Sequence, residues 1–213
     1  MTRALPPYRP VTPRPAASLV IYEKRGDNVY VLMGRRAKAH RFLPNVYVFP
    51  GGRVDTADAR TPVLAPLHPE VANRLSRPAG MAEAIATAAV RETFEETGLV
   101  IGALDGGVLR PDLSQLDYLA RAITPPMSPI RFNTRFLTVD VRHVEGELRG
   151  SGELIDLKWV TLGEAMTMPL VDVTEFIIGE IDRHLTDPET RRTDIPLFRY
   201  VRGKARIRGG GHG

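Results

Sequence analysis

Apolar positions dominate Ser18–Glu23 and again Val29–Met33, and the turn-forming run Arg25-Gly26-Asp27-Asn28 between them predicts a β-hairpin. Val46–Phe49 reads as a further short strand, stopped by Pro50 and the pair Gly51-Gly52. From Thr56 to Gly80 the text turns Pro- and Ala-rich, with one short helix over His68–Ser76, which predicts an inserted excursion. Met81–Thr97 is built of strong helix formers, and Gly98 follows where a C-terminal cap belongs. Leu99-Val100-Ile101 then opens a strand. Asp112–Ile123 is predicted as a helix stopped by Pro125 and Pro126. Arg135–Val141 alternates as a strand does, and Leu154–Val160 is another. Leu170, Val173, Phe176, Ile177 and Ile181 recur at helical spacing and give a final amphipathic helix. Strands and helices mix without regular βαβ alternation, so the expected fold is α+β, a mixed sheet with helices on its faces.

Length and composition narrow this further. With 213 residues, 43% hydrophobic and 25% charged, the chain suits one globular unit and is neither disordered nor fibrous. The absence of cysteine excludes disulfides, thiolate metal sites and cysteine nucleophiles, and five scattered histidines offer no His-based metal site. The longest apolar stretch, Ala84–Val90 with Thr87 inside it, falls far short of the ~20 residues that span a bilayer. The net charge of +4 belongs to the ends: Arg3, Arg9 and Arg14 in residues 1–15, and Arg199, Arg202, Lys204, Arg206 and Arg208 in residues 199–213. Without them the body is acidic. The expected organisation is an extended Pro-rich arm over 1–15, a single domain over 16–198 with the insertion at about 56–80, and a solvated basic, Gly-rich tail over 199–213. A nucleic-acid partner is therefore disfavoured, no membrane partner is expected, and a homodimer is left open. An N-terminus without the apolar core of a signal peptide makes cytoplasmic residence the expectation.

The chemistry concentrates in Arg91-Glu92-Thr93-Phe94-Glu95-Glu96-Thr97-Gly98. At ~100° per residue, Glu96 and Glu95 fall ~40° and ~60° to either side of Glu92, so three carboxylates crowd one helix face. Such oxygens suit Mg²⁺ or Mn²⁺, which bring substrate phosphate oxygens into their shell. Arg91 and Glu95, four residues apart, form a pair that orients the carboxylate. Ala82, Ala84, Ala86, Ala88 and Ala89 allow close packing behind this face. A solvated acidic helix face is the plain alternative.

Gly51-Gly52 after a short strand, then Glu83, the acidic helix and its glycine, resembles the signature of the Nudix hydrolases, G-x5-E-x7-R-E-U-x-E-E-x-G-U with U a bulky apolar residue. Glu83, Arg91, Glu92, Glu95, Glu96, Gly98 and Leu99 fall on it, and Thr93 departs mildly. Position 77, where the first glycine belongs, is arginine, so Gly52 supplies the glycine only across an insertion. Glu83 lies ~180° round from Glu92 and is expected to orient the loop or Arg91 rather than bind metal. The resemblance covers about residues 16–185. It implies an α/β/α sandwich and hydrolysis of a nucleoside diphosphate linked to another moiety. The implied metal ligands are Glu92, Glu95, Glu96 and the carbonyl of Gly52, and the implied catalytic set is Arg91, Glu92, Glu95 and a base from a loop, Glu153 or Glu147.

Upstream, Leu32, Arg36, Ala37, Arg41, Phe49, Pro50, Gly51 and Gly52 match the coenzyme A diphosphatase pattern L-L-T-x-R-[SA]-x3-R-x3-G-x3-F-P-G-G, from which Met33, Gly34 and Asn45 depart. The split signature also resembles peroxisomal members of that branch. The implied substrate is coenzyme A or acyl-coenzyme A, cleaved to 3′,5′-ADP and the 4′-phosphopantetheine portion. Arg36 and Arg41 would bind its 3′-phosphate or diphosphate. Arg131, Phe132 and Arg135 are candidate contacts to adenine and phosphate, or else core and surface residues. ADP-ribose or a nucleotide sugar is the rival substrate, and a non-catalytic ligand-sensing module the rival of another class.

Overall fold

The computed structural model describes residues 11–38, 44–76, 80–187 and 194–210. The predicted hairpin is present and longer than its apolar core suggested: β1 (Arg14–Arg25) pairs antiparallel with β2 (Asn28–Arg36). Alternation along β1 sends Ala17, Leu19 and Ile21 into one apolar cluster and Val20 into another, so both sheet faces are covered. Around β1 assemble β3 (Tyr47–Val48), β4 (Gly51–Arg53), β7 (Asp117–Ile123), β8 (Phe132–Asp140), β9 (Leu154–Thr161), β10 (Leu197–Val201) and β11 (Lys204–Arg208). The sheet runs β11-β10-β7-β8-β1-β2-β3, with β4 also on β1 and β9 on β2. It is mixed: β1 with β8 and β10 with β7 are parallel, the other pairs antiparallel. β5 (Gly102–Asp105) and β6 (Val108–Pro111) form a separate hairpin.

One face carries α1 (Pro69–Leu75) and α2 (Ala82–Thr97), the other α4 (Asp172–Thr186), with the single turn α3 (Leu162–Ala165) before it. The result is the expected α/β/α sandwich. The alanines of α2 are buried as anticipated, and the helix ends at Gly98, whose φ of 75° suits glycine and whose N–H donates to the Phe94 carbonyl. Among the described residues, no helix is long and apolar enough to cross a membrane.

Three expectations change. Leu99-Val100-Ile101 does not open a strand: Val100 makes only an isolated bridge to Glu145, and β5 begins at Gly102. Asp112–Ile123 is not a helix. A turn in which the Leu116 N–H donates to the Leu113 carbonyl leads into β7, and a bulge between Tyr118 and Ala120 disrupts strand alternation. Leu119 and Ala120 consequently enter the same cluster in succession, and the irregular spacing imitates a helix. The basic tail, expected to be solvated, is an ordered hairpin. Arg202 and Gly203, at φ 51° and 76°, make the two-residue turn joining β10 to β11, and β10 docks parallel to β7.

Candidate metal and diphosphate site

The loop entering β4 is fixed first. The Pro50 carbonyl accepts from both the Ser18 hydroxyl (2.8 Å) and the Leu19 N–H (2.9 Å), which clamps Phe49-Pro50-Gly51 against β1. The Gly51 N–H donates to Glu96 Oε2 at 2.8 Å. A Cβ on Gly52 would stand 2.3 Å from the carboxylate carbon of Glu92. A side chain at 52 and a carboxylate at 92 cannot share this space, so the two glycines and α2 form one cradle.

Electrostatics in the cradle are unfavourable to lone carboxylates. Burial pushes Glu96 up to about 8, with Glu92 and Glu153 adding repulsion and the Gly51 N–H and Arg36 opposing it. Burial likewise raises Glu92 against the pull of Arg91. Glu95 is the exposed member.

Arg91 organises this acidic face. Its Nη1 donates to Glu92 Oε1 (3.0 Å) and Glu95 Oε2 (3.1 Å), while Nη2 also reaches the Arg53 carbonyl (3.0 Å). Nε and Nη2 grip Asp58 Oδ1 and Oδ2 at 2.7 and 3.1 Å. Hydrogen bonding to Asp58 is the largest cause of a raised Arg91 pKa. The Asp58 side chain is fully buried and also accepts from the Asp55 N–H at 2.7 Å.

This corrects the expected partner of Arg91: Glu83 is exposed and Asp58 takes that place. A sequence signal was available. Asp58 stands six positions after Gly52, the G-x5-E interval with aspartate for glutamate, so the long gap falls after the acidic residue and not before it.

Arg36 is half-buried at the end of β2, where Glu96 and Glu153 offset the burial that lowers its pKa. Glu153 is exposed, and its carbonyl accepts from the Ala37 N–H at 3.1 Å, which brings it beside Arg36 and Glu96. Glu147 is exposed and faces Arg149 at 3.6 Å. Its loop closes the end of α2, with the Arg149 N–H donating to the Thr97 carbonyl.

Arg131 donates to the carbonyls of Val11 and Thr124, tying the approach to β1 to the β7–β8 turn, and it bonds none of the site carboxylates. Phe132 is half-buried. Arg135 is buried rather than at the surface, 1% exposed, bonded to the Asn133 carbonyl and Tyr118. Arg41 and His40 lie outside the described residues.

A divalent cation fits this donor set. Three carboxylates and the Gly52 carbonyl are hard oxygen donors, the missing Cβ at 52 leaves them room, and burial penalises Glu92 and Glu96 as uncompensated charges. Among the described residues, no three acidic or histidine side chains already converge as ligands: Glu92 and Glu95 are turned to Arg91, and Glu96 to Gly51.

Residues 12–176 match the model of the NUDIX domain. The chain belongs to the NUDIX family. A NUDIX hydrolase from Alicyclobacillus acidocaldarius is similar at 28% identity and a TM-score of 0.63, over 79% of this chain and 90% of that one. The NUDIX domain of Shewanella oneidensis NrtR, solved with ADP ribose, shares the fold at 16% identity and a TM-score of 0.52, over 82% of this chain and 90% of that one. Membership makes this chain a NUDIX hydrolase, with the family's general chemistry of cleaving a nucleoside diphosphate linked to another moiety.

Proposed function

We propose that this NUDIX hydrolase cleaves the diphosphate of coenzyme A or an acyl-coenzyme A, releasing 3′,5′-ADP and the (acyl-)4′-phosphopantetheine portion. The observation that carries the reading is Arg36. It occupies a matched position of the coenzyme A diphosphatase pattern, and it lies close to Glu96 and Glu153.

Glu92, Glu95, Glu96 and the Gly52 carbonyl would hold Mg²⁺ or Mn²⁺. The cation, when bound, neutralises diphosphate charge and makes water more acidic. Arg91, gripped by Asp58, keeps Glu92 and Glu95 in place, and the Gly51 N–H does so for Glu96. Arg36 binds the diphosphate oxygens through its guanidinium fork. Glu153 accepts the proton of the attacking water. The water oxygen bonds to one phosphorus, the bond from that phosphorus to the bridging oxygen breaks, and the other phosphate leaves with the bridging oxygen.

A hydrolysis panel of coenzyme A, dephospho-coenzyme A, ADP-ribose and nucleotide sugars with Mg²⁺ and Mn²⁺ tests this, with products identified by mass spectrometry. Coenzyme A and its thioesters should be the preferred substrates. Arg36→Ala should raise KM for coenzyme A and dephospho-coenzyme A together, whereas Arg41→Ala should affect coenzyme A alone if it reads the 3′-phosphate. Negligible turnover of coenzyme A beside brisk hydrolysis of ADP-ribose would overturn the assignment.

A further inference from the structure

The ordered C-terminal hairpin places its charges where a mobile tail would not. Along β11 the sequence Lys204-Ala205-Arg206-Ile207-Arg208 alternates cation and apolar residue, and β10 alternates around Phe198 and Tyr200. Phe198 and Tyr200 turn to the α4 side, where Phe198 packs on Phe176 and Tyr200 bonds Asp172. Pairing of Arg199 with Arg206 and of Leu197 with Arg208 then puts Arg199, Lys204, Arg206 and Arg208 on the opposite, solvent-exposed face. Residues 197–210 contain no acid.

That face continues inward. Leu197 is opposite Arg121, Arg121 is opposite Arg135, and Arg135 is opposite Ala17, whose antiparallel partner is Gly52. One rung of the sheet thus runs from the cradle to Arg208; Arg135 on it is buried, and the cations open to solvent, Arg121 with those of β10 and β11, span two strand gaps, roughly 10 Å. Arg199 opposite Arg206 is an exposed pair of like charges in direct cross-strand register, an arrangement unfavourable without counter-charge. Protection of an edge strand accounts for charge on β11, but not for Arg199 on β10 and Arg121 on β7.

We propose that this face binds single-stranded nucleic acid. Arginine outnumbers lysine on it, and the guanidinium fork suits phosphate oxygens and also stacks on bases. Ile123, Leu197 and Val201 lie on the same face between the cations and offer apolar surface to unstacked bases, while being too few to anchor in a bilayer. The low expectation for nucleic acid rested on a solvated tail, and the docked hairpin removes that premise.

Fluorescence anisotropy with labelled 20-nucleotide RNA and DNA single strands, from 50 to 200 mM salt, tests the proposal on the full chain. Four phosphate contacts predict a slope of log K against log salt of about −3. The Arg199→Ala/Arg206→Ala variant should bind at least tenfold more weakly and flatten the slope by roughly 0.7 per arginine. Arg142→Ala, an exposed cation paired with Asp140 elsewhere, should bind normally. Hydrolysis of a small diphosphate substrate by the double variant should be unchanged, which shows that the fold and cradle are intact and separates this test from that of the substrate. Absence of binding at 50 mM salt, equal loss in Arg142→Ala, or equal affinity for polyglutamate or anionic phosphatidylserine vesicles would overturn the proposal.

Discussion

Asp58 grips Arg91 through two charge-assisted hydrogen bonds of 2.7 and 3.1 Å, from within the segment that splits the signature. Arg91 in turn holds Glu92 and Glu95, so a buried aspartate 33 residues before Arg91 sets the acidic face of α2. Asp58→Asn should lower kcat roughly 10–100-fold, the effect typical of outer partners of metal-binding groups, with KM little changed. Stability should fall as well, by less than the ~3–5 kcal/mol of a fully broken buried pair, because Arg91 keeps Glu92, Glu95 and the Arg53 carbonyl. Steady-state kinetics beside thermal unfolding check this. A kcat within twofold of the parent would remove Asp58 from the positioning role.

Gly51 and Gly52 are adjacent but should fail differently. A Cβ at 51 meets backbone, the Ala17 carbonyl oxygen at 2.4 Å and Ser18 Cα at 2.6 Å, so Gly51→Ala must displace β1 and should cost about 1–3 kcal/mol or more. A Cβ at 52 meets only the movable end of Glu92. Gly52→Ala should therefore unfold within a few degrees of the parent and yet lose activity by orders of magnitude. Calorimetry and turnover on the same preparations separate the two, and equal loss of stability would contradict the cradle.

Metal should stabilise the fold as well as enable turnover. Burial already disfavours the charged forms of Glu92 and Glu96, and a cation at 100 times its Kd adds about 2.7 kcal/mol, or roughly 5–10 °C for a chain of this size. The expected result is a Tm that rises with Mg²⁺ or Mn²⁺ and returns with EDTA, together with activity lost in EDTA. Glu95→Gln and Glu96→Gln should each lower kcat by orders of magnitude, and Glu92→Gln/Glu96→Gln should abolish the thermal shift. Full activity in excess EDTA would exclude the metal-dependent mechanism.

The helix α2, its carboxylate face and its glycine cap were legible because they are local: spacing of 3.6 residues and one αL position decide them. The pairing of Gly52 with Glu92 was legible only through the resemblance, since nothing in 39 intervening residues states it. Asp58 is masked in the sequence by Glu83, which is exposed but stands at the matching interval from Arg91 and so draws the gap to a place before the first acid. β7 was hidden by its bulge. The hairpin of β10 and β11 was hidden by composition: five cations and several glycines suggested a tail, although alternation and Arg202-Gly203 already had the form of two strands and a turn.

The segment after Asp58 looks dispensable by its Pro and Ala content, but its burial says otherwise. Leu67, Val71 and Leu75 are each 5% exposed or less and join the apolar cluster formed by α2 and the sheet. Arg74 also pairs with Asp117 at the start of β7, which fixes α1 over that strand. Shortening 61–80 would uncover this part of the core. Leu75→Ala alone should cost roughly 2–5 kcal/mol, as large-to-small changes at fully buried sites do. Because Leu75 touches the helix's packing and not the cradle, kcat of the folded fraction at low temperature should stay near that of the parent. A deletion spanning 61–80 should instead lower the unfolding midpoint much further while Asp58 and Arg91 are retained. Urea unfolding of both variants measures the two costs. A deletion variant as stable as the parent would show that α1 is an appendage to the core and not part of it.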